Sequence, residues 1–171
     1  ILGLGELGSD LAQKLVLLGF EVHGLSRSRK ELASVHTYGQ EAMDQFLSRI
    51  NTLVCMLPAT PATEGIINTS LLAKLPKNSF LINVGRGQQQ VNQDILNALD
   101  NGRLAGAFLD VFPEEPLPAS SPLWEHPKVF ITPHIAVVTK IEAAVPQIVE
   151  NYRRLKDGQP LLHLIDRDKG Y

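Results

Sequence analysis

The chain has 171 residues, 44% of them hydrophobic, and a formal net charge of −2, which suits one globular domain with a tail. No apolar run approaches the ~20 residues of a membrane span, and the balanced charge offers no footprint for nucleic acid. A single cysteine, Cys55, excludes an internal disulfide.

In chain order, apolar runs bounded by Gly, Pro, Asn or Asp alternate with helical patterns, the mark of βαβ units and a parallel sheet. Ile1-Leu2 reads as the end of an apolar strand, two residues before Gly3 and with no methionine at its head. The chain is therefore expected to be part of a longer polypeptide. Helices are predicted over residues 7–18, 41–48, 70–74, 92–101 and 139–156, and further strands over 20–25, 52–57, 80–84, 106–111 and 129–132. Gly102 closes the fourth helix in the usual way. Pro146 should kink or split the last one, because proline removes an internal hydrogen bond. No element is assigned between Leu25 and Glu41. Cys55 lies in the run Leu53-Val54-Cys55-Met56-Leu57 and reads as a buried thiol, with a reducing cytoplasm as the expected compartment.

Gly3-Leu4-Gly5-Glu6-Leu7-Gly8 is a G-x-G-x-x-G between a strand stub and an amphipathic helix. Its glycines allow a tight turn, a close approach of pyrophosphate to the backbone, and close helix–strand packing. The second strand runs into Ser26-Arg27-Ser28-Arg29-Lys30. An NAD site would place an acid there for the ribose hydroxyls, whereas three cations and two hydroxyls suit a 2′-phosphate. NADPH is the preferred cofactor on this reading, with Arg27 the main contact and NADH possible; a solvated basic loop is the plain alternative.

Three more groups fall just past the carboxyl ends of predicted strands, the edge where open α/β sheets bind ligands. Arg86 follows Val84-Gly85, Glu115 lies in the Pro-rich loop after Asp110, and His134 follows the sixth strand. Leu57-Pro58, Val84-Gly85 and Asp110 complete the cofactor-facing edge, Asp110 toward the nicotinamide carboxamide or ribose. Reduction of a 2-oxoacid needs a carboxylate anchor, which a guanidinium fork supplies, and a proton donor near neutrality, which imidazole supplies. Arg86 and His134 are the candidates, with Glu115 orienting the imidazole. Each could also be an ordinary loop residue. Pro113, Pro116, Pro118 and Pro122 stiffen the Glu115 loop, and Trp124 is expected to anchor it by packing. His23, His36, His126 and His163 share no ligand spacing, so no metal site is expected.

GLGELG, the Asn83-Val84-Gly85-Arg86-Gly87 turn, LDVFPEEPLP, SPLWEHP and TPHIA resemble the D-isomer-specific 2-hydroxyacid dehydrogenases. Within them the likeness is to the bacterial glyoxylate/hydroxypyruvate reductase A group, carried by the Ser-Arg-Ser-Arg-Lys loop and the terminal Asp166-Arg167-Asp168-Lys169-Gly170-Tyr171. The resemblance implies a Rossmann-type cofactor domain over residues 1–137, truncated in its first strand. It also implies a segment over 138–171 that returns to a flavodoxin-like substrate domain, most of which is absent. Arg86, Glu115 and His134 match the family's catalytic Arg-Glu-His. The implied activity is NADPH-linked reduction of glyoxylate and hydroxypyruvate in a homodimer, with little turnover from this chain alone and a loose tail at 161–171. A non-catalytic dinucleotide sensor and a reductase of bulkier 2-oxoacids remain the alternatives.

Overall fold

The structure, a computed structural model, describes residues 1–165. It divides into two compact units, Ile1–His134 and Ile135–Tyr171. The terminal hexapeptide that carries part of the family likeness lies outside the described residues.

The first unit contains strands β1 (Val22–Leu25), β2 (Val35–Tyr38), β3 (Thr52–Cys55), β4 (Ser79–Asn83), β5 (Leu104–Leu109) and β6 (Val129–Ile131). All paired neighbours are parallel, in two runs, β1-β2 and β3-β4-β5-β6. Leu2 joins the runs through parallel bridges to both Leu25 and Cys55. Ile1-Leu2 is therefore an interior strand, fixed by Leu2 N–H to the Val54 carbonyl at 2.8 Å and Leu25 N–H to the Ile1 carbonyl at 2.9 Å. The resulting order, β2-β1-(Ile1-Leu2)-β3-β4-β5-β6, is that of a doubly wound Rossmann-type sheet, with its switch point beside the first strand.

Alternation along β3 sorts the core onto two faces. Leu53 and Cys55 join Leu2, Leu25, Leu81, Ile95 and Leu99 in one cluster, while Val54 and Met56 pack with Ile1, Leu4, Ala12 and Val22. Helix α1 (Glu6–Leu17) contributes Ala12 to the smaller cluster. Helices α2 (Met43–Ser48), α3 (Thr69–Leu72) and α4 (Asn92–Asp100) contribute to the larger one. Cys55 is the buried thiol expected, and burial pushes its pKa up to about 11.

β2 is the element that sequence reading missed. Its four residues, Val35-His36-Thr37-Tyr38, carry two polar side chains and are flanked by charged loops, so neither a long apolar run nor clear alternation marks them. They form a strand because β1 offers a parallel edge. In the second unit, α5 (Ile141–Lys156) runs through Pro146 as one helix, so the expected split does not occur. Proline so near a helix start removes one hydrogen bond in the second turn and leaves the later turns intact. In the described part of the tail, the N–H and carbonyl of Leu162 bond to the Asn151 side chain at 2.8 and 3.2 Å.

Leu81 is fully buried at the centre of the larger cluster. Leu81→Ala is expected to cost about 2–5 kcal/mol in urea unfolding, whereas Leu17→Ala, at an exposed position of α1, should stay within about 0.5 kcal/mol.

Candidate active site

The glycine turn occupies the switch point. Gly3 adopts φ +109°, and a Cβ on Gly8 would lie 1.9 Å from the Gly3 carbonyl oxygen. Neither position tolerates a side chain without backbone movement. Around Gly5 the space is open, with nothing within 4 Å of a would-be Cβ. Gly5 also caps α1 without any side-chain hydrogen bond. An open, uncapped helix start with a glycine at its mouth suits a pyrophosphate, whose charge the exposed N–H groups and the helix dipole favour. Glu6 and Leu7, the first residues of α1, are exposed beside it.

The basic loop follows β1 directly. Ser26 Oγ donates to the Ser28 carbonyl at 2.8 Å, tightening the turn. Arg27, Ser28 and Arg29 are exposed. Lys30 turns back, and its Nζ donates to the Leu4 carbonyl at 2.6 Å, the same oxygen that accepts from Ser9 Oγ at 3.2 Å. Lys30 therefore ties the basic loop to the glycine turn.

At the carboxyl ends of β3 and β4, sequence reading missed the residue that organises the loops. Gln89 is fully buried. Its Nε2 donates to the carbonyls of Leu57 and Pro58 at 2.6 and 3.0 Å. Its Oε1 accepts from the Arg86 N–H at 3.0 Å and the Cys55 thiol at 3.3 Å. One amide thus holds Leu57-Pro58 and the Gly85-Arg86 turn in register. Asn83 acts alongside, with Oδ1 accepting from the Gly85 N–H at 3.1 Å and Nδ2 donating to Gln90 Oε1 at 2.7 Å. Three glutamines in a row, Gln88-Gln89-Gln90, were the available signal, since an uncharged polar run just past a buried strand has to satisfy loop backbone.

Arg86 itself is exposed and donates from Nη1 to the Gly85 carbonyl at 2.7 Å. The next residue, Gly87, sits hard against the Glu115 loop: a Cβ there would fall 1.8 Å from the Phe112 carbonyl carbon. Only glycine allows these two loops to touch.

Beyond Phe112, Glu115 bridges two partners. Its Oε1 accepts from the Phe112 N–H at 2.8 Å, and its Oε2 lies 2.9 Å from His134 Nδ1. The His134 hydrogen bond, then that from Phe112, holds the Glu115 carboxyl below the usual carboxylate range. His134 has φ +55°, a left-handed conformation uncommon for a non-glycine residue and characteristic of functional turns. It is held there by its N–H, which donates to the Asp110 carbonyl at 2.9 Å. Asp110 is buried, and its Oδ1 accepts from Thr132 Oγ1 at 2.5 Å. Asp110 therefore braces the turn that presents His134. Trp124 is half exposed and ties the loop by donating from its indole to the Pro118 carbonyl at 3.0 Å, beside the fully buried Leu123.

A glycine turn at the switch point of a doubly wound sheet, opposite a cluster of charged residues at the strand ends, defines an NAD(P)-binding domain. The family model for the NAD binding domain of the D-isomer specific 2-hydroxyacid dehydrogenases matches residues 1–136, and the chain belongs to that family. It is 47% identical over its whole length to the glyoxylate/hydroxypyruvate reductase A of Escherichia fergusonii, of which it spans 55%. A solved D-isomer specific 2-hydroxyacid dehydrogenase from Xanthobacter autotrophicus, in complex with NADPH and MES, superposes with a TM-score of 0.96 at 45% identity, covering 99% of this chain and 71% of that one. The NADPH-dependent glyoxylate/hydroxypyruvate reductase of Sinorhizobium meliloti, in complex with NADP and sulfate, gives a TM-score of 0.94 at 44% identity, covering 99% of this chain and 55% of that one. The chain thus spans about half the length of the curated relatives it matches.

Because the folded carboxyl of Glu115 titrates below its unfolded value, the stability it adds is present above the ordinary carboxylate range and is lost as pH falls through the folded value. Glu115→Gln should therefore unfold more easily than the parent at pH 7, and the difference should close in acid. Urea midpoints measured across pH 3 to 7 test this; a gap that widens toward acid would contradict the pairing.

Proposed function

We propose that this chain is the cofactor half of an NADPH-dependent reductase of small 2-oxoacids, glyoxylate and hydroxypyruvate foremost. The observation that carries the proposal is the His134–Glu115 pair, 2.9 Å from Nδ1 to Oε2, at the same sheet edge as Arg86. Reduced nicotinamide supplies the hydride that the carbonyl carbon accepts. Arg86 holds the substrate carboxylate through its guanidinium fork. His134 delivers a proton to the carbonyl oxygen from Nε2, while Glu115 accepts from Nδ1 and so fixes the ring orientation.

On the cofactor side, Gly3, Gly5 and Gly8 leave room for the pyrophosphate at the start of α1. Leu57-Pro58, Val84-Gly85 and Asp110 line the path toward the nicotinamide. Arg27, supported by Ser26, Ser28 and Arg29, takes the 2′-phosphate, and Lys30 secures that loop against the glycine turn. The NADPH and NADP complexes of the Xanthobacter and Sinorhizobium proteins support this preference. In the same reading, residues 138–171 return to a substrate domain supplied elsewhere in the polypeptide, the whole protein is a homodimer, and it works in the cytoplasm.

Three measurements test the proposal. Arg27→Ala should raise the Kd for NADPH by roughly 10- to 100-fold with little change for NADH, as read by cofactor fluorescence on this chain. Equal losses for both cofactors would remove the 2′-phosphate role. With the chain extended to the length of its relatives, NADPH oxidation should be fast with glyoxylate and hydroxypyruvate and slower with phenylpyruvate. His134→Gln in that protein should lower kcat by about 10²- to 10⁴-fold while NADPH affinity holds. Tight NADPH binding without turnover of any 2-oxoacid would favour a non-catalytic dinucleotide sensor.

A further inference from the structure

The unpredicted strand β2 brings together side chains that no sequence spacing connects. In the parallel register, His23 stands directly opposite His36 and Leu25 opposite Tyr38. Glu21 precedes His23 by two residues, and Tyr38 follows His36 by two, so all four project from the same face of the strand pair. The outcome is a tight cluster. Glu21 Oε1 lies 3.0 Å from His23 Nε2 and 3.8 Å from His36 Nε2. The three potential ligand atoms all fall within 4.8 Å of one another. On the far side of the His23 ring, Nδ1 is 3.0 Å from the Tyr38 hydroxyl.

We propose that Glu21, His23 and His36 bind a single first-row divalent transition-metal ion of the zinc class. Zinc held at about 2.0–2.1 Å by tetrahedral ligands needs ligand atoms roughly 3.3 Å apart. The Glu21–His23 separation of 3.0 Å and the Glu21–His36 separation of 3.8 Å bracket that spacing. The imidazole rings stack with centroids 4.8 Å apart and an interplanar angle of 27°, so the exposed His36 ring has to turn out of the stack for its Nε2 to converge with that of His23 on one ion. Two imidazoles and one carboxylate suit zinc, nickel or cobalt and not the oxygen-seeking magnesium or calcium.

The outer contacts favour a site over a chance meeting of side chains. Metal-bound histidines characteristically use their second nitrogen to bond a fixed partner, which sets the tautomer and ring orientation. Tyr38 can serve His23 in that way: without an ion Nε2–H donates to the Glu21 carboxylate at 3.0 Å, and when a metal takes Nε2 the proton moves to Nδ1, where the Tyr38 hydroxyl accepts it. The His23 side chain is only 10% exposed and pinned, while those of His36 and Glu21 are 62% and 74% exposed. One ligand is thus preset and two are free to close on an ion arriving from solvent, which leaves further coordination positions to water. Such an ion would cross-link β1 to β2 at the sheet edge, and these are the strands whose carboxyl ends adjoin the basic loop through Ser26 N–H and the Tyr38 carbonyl, 3.2 Å apart.

The test uses the untagged chain, stripped with chelator and titrated with Zn²⁺ by calorimetry and with Co²⁺ by visible absorption. One ion per chain is expected, with Co²⁺ bands of a low-coordinate site and a rise in Tm on adding zinc. His36→Ala changes an exposed side chain and should fold normally; it should abolish the Tm rise and weaken binding at least 10-fold, as should Glu21→Gln. Tyr38→Phe should weaken it by roughly 10-fold. His126→Ala, at a histidine outside the cluster, should bind like the parent. Parent and His36→Ala binding zinc equally, or Co²⁺ keeping the spectrum of the hydrated ion, would overturn the proposal.

Discussion

The loops at the carboxyl edge of the sheet depend on one constraint: backbone groups that leave a strand and stay buried must still find hydrogen-bond partners. Beyond β3 and β4 no ladder remains to provide them. Gln89 meets the demand with a single side chain, two donors on one loop and an acceptor on the other. Asn83 does the same two residues before Gly85 of the glycine-arginine turn. A buried amide with its polar atoms paired resists rearrangement, because breaking any of its bonds strands a polar group away from water. Arg86 is exposed, yet the backbone that carries it is held from below.

The same principle governs the other half of the site. Glu115 and His134 are both partly exposed, and an exposed ion pair by itself stabilises little. Their geometry comes from the buried groups behind them. Asp110 accepts from Thr132 and, through its carbonyl, from the His134 N–H, while Phe112 donates to Glu115. Gly87 then brings the two halves into contact, since a β-carbon at that point would occupy the Phe112 backbone. The charged groups gather where a substrate could reach them, and the neutral and buried groups do the positioning. This division separates chemistry from support, which falls to buried Gln89, Asn83 and Asp110 and to Gly87.

At the opposite edge of the sheet, β1 and β2 are held by eight paired residues, Val22–Leu25 against Val35–Tyr38, and by the ring cluster of His23, His36 and Tyr38. An edge built from short strands has little apolar burial to rely on. Tyr38 leans on Phe46 of the larger cluster, ring centroids 5.7 Å apart, and Val35 packs against the smaller cluster. A cross-strand ligand set is well suited to such a place, because it adds strength without needing a larger core.

Much of the fold was legible locally. The glycine spacing of residues 3–8, the apolar runs of β3 through β6 and the pattern of α4 each report a short-range preference, a turn that needs glycine or a strand that needs burial. The strand ends that follow from them put Arg86, Glu115 and His134 at one edge of the sheet. What stayed illegible has a common cause. β2 is a strand only because β1 pairs with it, Pro146 is tolerated because of its place in α5, and Gln89 matters because it reaches Leu57 across 32 residues of sequence. The sequence by itself determined the order of elements and which chemical groups lie at their ends, since those depend on neighbours along the chain. Register, the partners of the buried amides and the meeting of Glu21, His23 and His36 were decided only by tertiary structure, since each depends on a partner that the chain brings near only by folding.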